Sequence, residues 1–286
     1  MIMGVLKTFS SVIALRNFLA QQRAENCIGF VPTMGALHEG HLSLVDRALE
    51  SCELVVVSIF VNPAQFNDPA DLETYPRDIV HDLELLSRFE SVVVFHPTVE
   101  EVYPEDLQWV DLDPGSLGTV MEGSFRPGHF AGVMRVVKRL FDIVEPHQVF
   151  FGEKDFQQLA IIRFMCNELG LNVEIIACPT NREASGLARS SRNRRLSERE
   201  QEKATIIYRT LKAMRENVHG KTPEELIALA ENMFVSSGLE LEYIEIVDPH
   251  TLQPLTDWIP GSHACLAAHC GDVRLIDNIQ IVPLFA

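Results

Sequence analysis

Short runs of Val, Ile, Leu and Phe recur through the first two-thirds of this chain, separated by stretches of helical period. The runs predict strands at 27–31, 54–61, 91–96, 148–151 and 172–177. The intervening periods predict helices at 11–23, 41–52, 77–89, 132–144 and 156–169. Consecutive apolar residues suit a strand buried on both faces, as in a parallel sheet covered by helices. Alternating β and α segments therefore predict a doubly wound α/β sheet, and such sheets bind ligands outside the carboxyl ends of their strands. Near Pro179 the pattern changes. Helices at 198–218 and 223–236 precede strands at 241–247, 264–269 and 273–280, which predicts a second, smaller α+β domain. The expected division is 1–180 and 181–286.

Charge narrows the partners. With 24 Lys+Arg against 40 Asp+Glu, the 286 residues carry a formal charge of −16. No basic excess exists to neutralise a nucleic-acid backbone or an anionic membrane, so neither is expected as a partner. Any phosphate must be held by a local basic cluster. A hydrophobic fraction of 47% excludes disorder and low-complexity classes. The apolar run at 54–61 is too short to span a bilayer, and the amino-terminal residues lack the pattern of a cleaved signal. Six cysteines with no CxxC pair predict reduced, mostly buried thiols and a cytoplasmic setting.

The segment Pro32-Thr33-Met34-Gly35-Ala36-Leu37-His38-Glu39-Gly40-His41 leaves the first buried run and enters a helix. A helix start offers backbone N–H groups and a positive dipole end to an anion. Gly35 and Gly40 permit close approach of a ligand to the backbone. His38 and His41, three apart, share one face of the first turn and can donate to phosphate oxygens. The alternatives are histidines that merely cap the helix, or a zinc pair, which lacks a third ligand nearby. His41 stands where a P-loop needs Lys, so a Walker ATPase is excluded. A second segment, 188–196, holds four arginines and no acid, with Ser190, Ser191 and Arg192 in a form suited to phosphate. The choice there lies between an exposed linker and a flexible basic loop that closes over a nucleotide.

The first segment resembles the HxGH signature of the nucleotidyltransferase superfamily, and Arg189-Ser190-Ser191-Arg192-Asn193 resembles that superfamily's second, KMSKS-like signature. Phe60-Val61-Asn62-Pro63-Ala64-Gln65-Phe66, Tyr75-Pro76-Arg77, Gly128-His129-Phe130 and 151–158 (Phe-Gly-Glu-Lys-Asp-Phe-Gln-Gln) follow in the order found in pantoate–β-alanine ligases. The resemblance implies a Rossmann-like ATP domain and condensation of pantoate with β-alanine through a pantoyl-adenylate, releasing pyrophosphate and AMP. It implies an ATP site at Met34, Gly35, Ala36, Leu37, His38, Glu39, Gly40 and His41. Gly152, Glu153, Lys154, Asp155, Asn181, Arg189, Ser190, Ser191 and Arg192 would complete it. His41, His38 and Lys154 would be catalytic, and Gln65 and Gln158 would hold pantoate. Arg126 and His129 would face the same pocket. Asp82 would be a magnesium-side carboxylate, although by itself it reads as a solvated helix residue. Magnesium and a homodimer are implied as well.

Several residues depart from that family pattern. Asn181 stands for Val, Ser185 for Asp, Arg189 for Met or Leu, and Arg194-Arg195 for a small residue and Tyr. Arg189 is expected to swing outward or to add a phosphate contact. Another nucleotidyltransferase and a nucleotide-binding regulatory module remain as alternatives. So does a zinc site at His263, Cys265, His269 and Cys270, where strand alternation sends Cys270 to the opposite face.

Overall fold

The computed structural model describes residues 6–66, 69–108 and 111–284. The chain forms two compact units. One comprises Met1–Pro114, Pro127–Glu153 and Ile161–Pro179; the other comprises Gly115–Arg126, Lys154–Ala160 and Thr180–Ala286. A single boundary at 180 therefore misses two excursions, 115–126 and 154–160. The reason is polar: the buried Gln157 amide donates to the carbonyls of Leu117 and Val120 and accepts from the Glu122 N–H at 2.7–2.9 Å.

The first unit is built on six parallel strands: β1 (Lys7–Phe9), β2 (Ile28–Thr33), β3 (Leu54–Ile59), β4 (Val92–Phe95), β5 (Gln148–Gly152) and β6 (Glu174–Cys178). Their order is β1-β4-β3-β2-β5-β6. Every residue of β3 is buried, as its continuous Leu-Val-Val-Val-Ser-Ile run requires. Each apolar side chain so placed contributes about 1.5–3 kcal/mol over leaving it exposed. Flanking helices are α1 (Val12–Gln22), α2 (Glu39–Leu49), α3 (Pro69–Thr74), α4 (Ile79–Leu86) and α5 (Val99–Val102). The short α6 (Glu122–Phe125) belongs to the second unit, and α7 (His129–Val144) returns to the first. Next comes α8 (Phe156–Glu168). β1 lies outside the strands expected from sequence. It is a three-residue edge strand with two exposed side chains, so no apolar run announces it.

The chain builds outward from β2 through β3 to β4, then crosses back to lay β5 on the other side of β2. That reversal makes the β2/β5 pair the switch point of the sheet, and in open α/β sheets ligands bind outside the carboxyl ends of the strands at such a point. The segments leaving those ends are Met34–His38 after β2 and the short 3-10 turn Glu153–Asp155 after β5.

The second unit layers α9 (Glu198–Glu216) and α10 (Pro223–Phe234) on an antiparallel sheet ordered β7 (Glu240–Val247), β8 (His263–Cys270) and β9 (Val273–Gln280). Capping boxes Ser197/Glu200 and Thr222/Glu225 fix both helix starts. Ala204, Leu211, Met214, Leu226, Phe234, Ile246, Leu266 and Leu275 form the shared core. Cys270 joins that core, whereas Cys265 packs with Met121, Val247 and Leu252, as alternation along β8 demands. Among the described residues no three His, Cys, Asp or Glu side chains group as a metal site.

Candidate active site

The loop between β2 and α2 satisfies its own backbone. Thr33 Oγ1 donates to the Ser58 carbonyl at 2.6 Å and accepts from the Gly35 N–H at 3.1 Å. Gly35 and Ala36 both turn left-handed, at φ 78° and 50°. This conformation costs a non-glycine residue about 1–2 kcal/mol. It directs the Ala36 and Leu37 N–H groups onto the two carboxylate oxygens of Asp82, at 2.9 and 2.7 Å. Successive N–H groups converging on one anion form a nest. A Cβ at position 35 would stand 2.9 Å from Asp82 Oδ2, so glycine is needed there for space as well as for φ.

The two histidines then close the helix start. His38 is the N-cap of α2, and its Nδ1 accepts from the Gly40 N–H at 3.1 Å. Reciprocally, His41 Nδ1 accepts from the His38 N–H at 3.3 Å. The rings lie 4.1 Å apart between centroids. A ring nitrogen that accepts carries no proton, so each neutral imidazole must hold its proton on Nε2. Capping therefore sets both side chains as Nε2–H donors. The expectation of open backbone N–H groups here is corrected. Those of Gly35, Ala36, Leu37, His38, Gly40 and His41 already donate within the protein.

Asp82 is the second correction. Read alone as a solvated helix residue, it is instead 1% exposed and holds the loop. Its position on α4 gave no sign of this, because its partners lie 45 and 46 residues away.

Also in the first unit, Gln65 ends a 3-10 turn, Pro63–Gln65, capped by Asn62. The Gln65 amide donates to Met34 Sδ at 3.1 Å and accepts from Asn62 Nδ2 at 3.2 Å. His129 Nδ1 lies 2.8 Å from the Gln65 carbonyl, which can only accept, so the ring nitrogen donates. Gly132 lets α7 reach this turn, since a Cβ there would sit 2.2 Å from the Ala64 carbonyl oxygen. Met34, Gln65 and His129 are thus brought together, with His129 on backbone. Asn62 was not singled out from sequence. It is 1% exposed and receives the Tyr103 hydroxyl at 2.7 Å.

In the second unit, Asn278 ties Lys154 into place by donating from Nδ2 to the Lys154 carbonyl at 2.8 Å. Its Oδ1 faces His263 Nε2 at 2.8 Å, and the His263 ring stacks on Phe156 at 4.0 Å. Burial holds the His263 pKa down to about 4, so the ring is neutral and its Nε2 donates to the Asn278 amide oxygen. Asp277, beside Asn278, takes both guanidinium nitrogens of Arg182 at 2.6 and 2.9 Å. Asp155 lies 3.6 Å from Lys154 Nζ. Gln158 is half-buried, next to the anchored Gln157.

The basic segment is anchored at several points rather than running as a bare linker. Arg182 and Ala188 bridge, the Arg189 N–H donates to the Asn181 carbonyl at 3.0 Å, and Leu187 and Leu196 enter the core. Ser191–Arg195 is a 3-10 turn capped by Ser190, whose hydroxyl accepts from the Arg192 N–H at 3.3 Å. Ser191 and Asn193 are buried, and the Asn193 amide donates to the Ala188 carbonyl at 3.0 Å. Arg192 is half-buried, whereas Arg194 and Arg195 are exposed. Apolar and amide anchors alternate with the arginines along this segment.

The family described as Pantoate-beta-alanine ligase matches residues 7–280. The chain belongs to this family. A pantothenate synthetase from Porphyromonas gingivalis (strain ATCC BAA-308 / W83) is 50% identical over 280 residues, 96% of this chain and 99% of that one. The crystal structure of pantothenate synthetase from Thermus thermophilus matches with a TM-score of 0.92 at 44% identity, covering 97% of this chain and 100% of that one. Pantoate-beta-alanine ligase from Francisella tularensis, complexed with beta-gamma ATP and beta-alanine, matches with a TM-score of 0.81 at 35% identity, covering 96% and 98%. As a pantoate–β-alanine ligase the chain is an enzyme of the ligase class, with the doubly wound sheet and smaller second unit expected of it.

Two arginines of the expected site, Arg126 and Arg189, have surroundings of their own. Arg126 ion-pairs with Glu122 at 3.5 Å, and the same carboxylate binds Arg274 at 2.6 and 2.7 Å. Burial alone would raise the Glu122 carboxyl, but Arg274 and Arg126 outweigh it and hold the group below the ordinary range. Arg189 does not swing outward at its root: its Nε is buried, with no hydrogen-bond partner among the described residues.

Proposed function

We propose that this ligase activates pantoate with ATP to form a pantoyl-adenylate, then transfers the acyl group to β-alanine. The carboxylate of pantoate attacks the α-phosphorus and expels pyrophosphate. The β-alanine amine then attacks the mixed anhydride and expels AMP. A carboxylate is a poor acylating agent, and adenylation gives it a good leaving group. No protein nucleophile enters, so catalysis rests on positioning and charge stabilisation.

The observation that carries this reading is the reciprocal cap of His38 and His41, which presents two Nε2–H donors at the start of α2, beside the sheet's switch point. Donors fixed before substrate arrives stabilise charge developing on a phosphorus centre without reorganisation. Lys154 supplies a cation for phosphate, Asp155 an acceptor for ribose hydroxyls, and Ser190, Ser191 and Arg192 further donors. Gln65 and Gln158 hold pantoate, because an amide meets both hydroxyl and carboxylate. No packing neighbour within 4 Å demands a glycine at 152, which fits close approach of a ligand. Magnesium enters with the triphosphate as part of the substrate. Asp82 is spoken for by the loop. A homodimer in the cytoplasm, without nucleic-acid or membrane partners, completes the reading; no described helix is long and apolar enough to cross a membrane.

The test follows pyrophosphate and AMP separately, with ATP, magnesium and pantoate, with and without β-alanine. Pyrophosphate that requires pantoate, with AMP turnover that requires β-alanine, is the expected pattern. Measurable ATP binding with no pyrophosphate under any condition would overturn it.

A further inference from the structure

Cys27 directly precedes β2, and Cys52 follows α2 just before β3. The two are 25 residues apart in sequence, yet their Sγ atoms lie 2.9 Å apart. That is within about 1 Å of a disulfide bond length of about 2.05 Å. The backbone continues the β2–β3 ladder here. The Leu54 N–H donates to the Cys27 carbonyl at 3.3 Å, and the Cys27 N–H donates to Glu53 Oε2 at 2.8 Å. Neighbouring strands about 4.8 Å apart put diagonal residues within the Cα range that disulfides span. Cys52 is also hemmed in. A Cβ on Gly29 would stand 3.2 Å from both its Cβ and its Sγ, and Gln148 Oε1 lies 3.4 Å from its Sγ.

The pair is asymmetric. Cys27 is half-buried, whereas Cys52 is buried and its thiol is pushed up to about 12 by burial and by Cys27. Neither sulfur belongs to the adenylation chemistry described above.

We propose that Cys27 and Cys52 form a redox modification site that closes to an intramolecular disulfide on exposure to a peroxide. Cys27 sulfur attacks a peroxide oxygen, the O–O bond breaks, and a sulfenic acid and an alcohol (or water) result. Cys52 sulfur then attacks the sulfenic sulfur; the S–O bond breaks and water leaves with the Cys52 proton. Two thiols lose two electrons and one peroxide gains them. The new bond joins the entry of β2 to the exit of α2. The strand, the histidine-bearing loop and the helix become one covalent ring, closed with little displacement of either strand.

The experiment treats the full, reduced chain with hydrogen peroxide, removes the excess peroxide with catalase, unfolds the chain in the presence of iodoacetamide so that every remaining thiol is blocked as it is exposed, and maps tryptic peptides. Cleavage at Arg47 separates the two cysteines, so a linked pair of peptides 24–47 and 48–77, lighter than their sum by two hydrogens and lost on adding dithiothreitol, is expected. Two of the six thiols should disappear, and the thermal midpoint should rise as the unfolded chain is constrained. Cys27→Ser should abolish the linked peptides and leave Cys52 alkylated. Cys27 recovered as sulfinic acid beside an alkylated Cys52 would overturn the proposal, as would either cysteine linked to a different partner. Wild-type mapping decides the matter even if the variant fails to fold.

Discussion

Asp82 Oδ1 accepts the Leu37 N–H at 2.7 Å, so a residue on α4 fixes the backbone one position before the His38 cap. The partner oxygen takes the Ala36 N–H, offsetting the left-handed turn at that residue. Asp82→Asn would keep one acceptor and point an amide N–H at a backbone N–H. An unsatisfied buried donor costs about 1–3 kcal/mol. A loop misplaced by a fraction of an ångström costs about 10-fold to 10²-fold in turnover. Circular dichroism should show a folded protein, while steady-state kinetics show kcat reduced.

His41 bears on the charge built up at phosphorus. His41→Ala should lower kcat by about 10²-fold or more with folding retained, as removal of a preorganised donor does. An unchanged kcat in the folded variant would remove His41 from the mechanism.

Gly132 owes its identity to the Ala64 carbonyl, 2.2 Å from where a Cβ would stand. Gly132→Ala must push α7 away from the turn that carries Gln65. Overpacking of this kind costs about 1–3 kcal/mol. Denaturant unfolding should report that loss, and KM for pantoate should rise more than KM for ATP.

Arg189 carries a buried Nε without a partner among the described residues. Arg189→Met removes that polar atom and keeps an unbranched side chain. The variant should be as stable as the parent or up to about 1 kcal/mol more so by thermal unfolding. If the guanidinium meets phosphate, KM for ATP will rise well beyond severalfold.

His263 supplies the pH dependence. Its folded-state value is lowered from 6.5 to about 4, chiefly by burial. The neutral ring therefore contributes stability that is fully present above pH 6.5 and is lost as pH falls toward 4, because only the unfolded chain takes up the proton. The loss is on the order of 3 kcal/mol across that window. His263→Gln keeps a donor for Asn278 but cannot titrate, so its stability should vary less between pH 6.5 and 4 in urea melts.

Much of this architecture was legible along the chain. The apolar runs of β2 to β5 and the helical periods of α9 and α10 are written in near neighbours. The (i, i+3) spacing of His38 and His41 likewise placed both rings on one turn. What those rings do with their Nδ1 atoms was not legible, nor was the clamp from Asp82, because each depends on where a left-handed turn aims its N–H groups. Lys154 was recognisable, whereas the Asn278 amide that holds its backbone comes from 124 residues away. β1 passed unnoticed because an exposed edge strand needs no apolar run.

By itself the sequence determined the elements and the class of sheet, since helix and strand period, capping and turn chemistry are short-range properties of covalent neighbours. Only the tertiary structure decided which polar groups satisfy one another. The loop N–H groups go to Asp82 and the histidines, His129 goes to the Gln65 carbonyl, and the basic segment is pinned through Leu187, Asn193 and Leu196. Buried donors and acceptors must find partners wherever the chain returns, and strand order, not sequence distance, sets where that is.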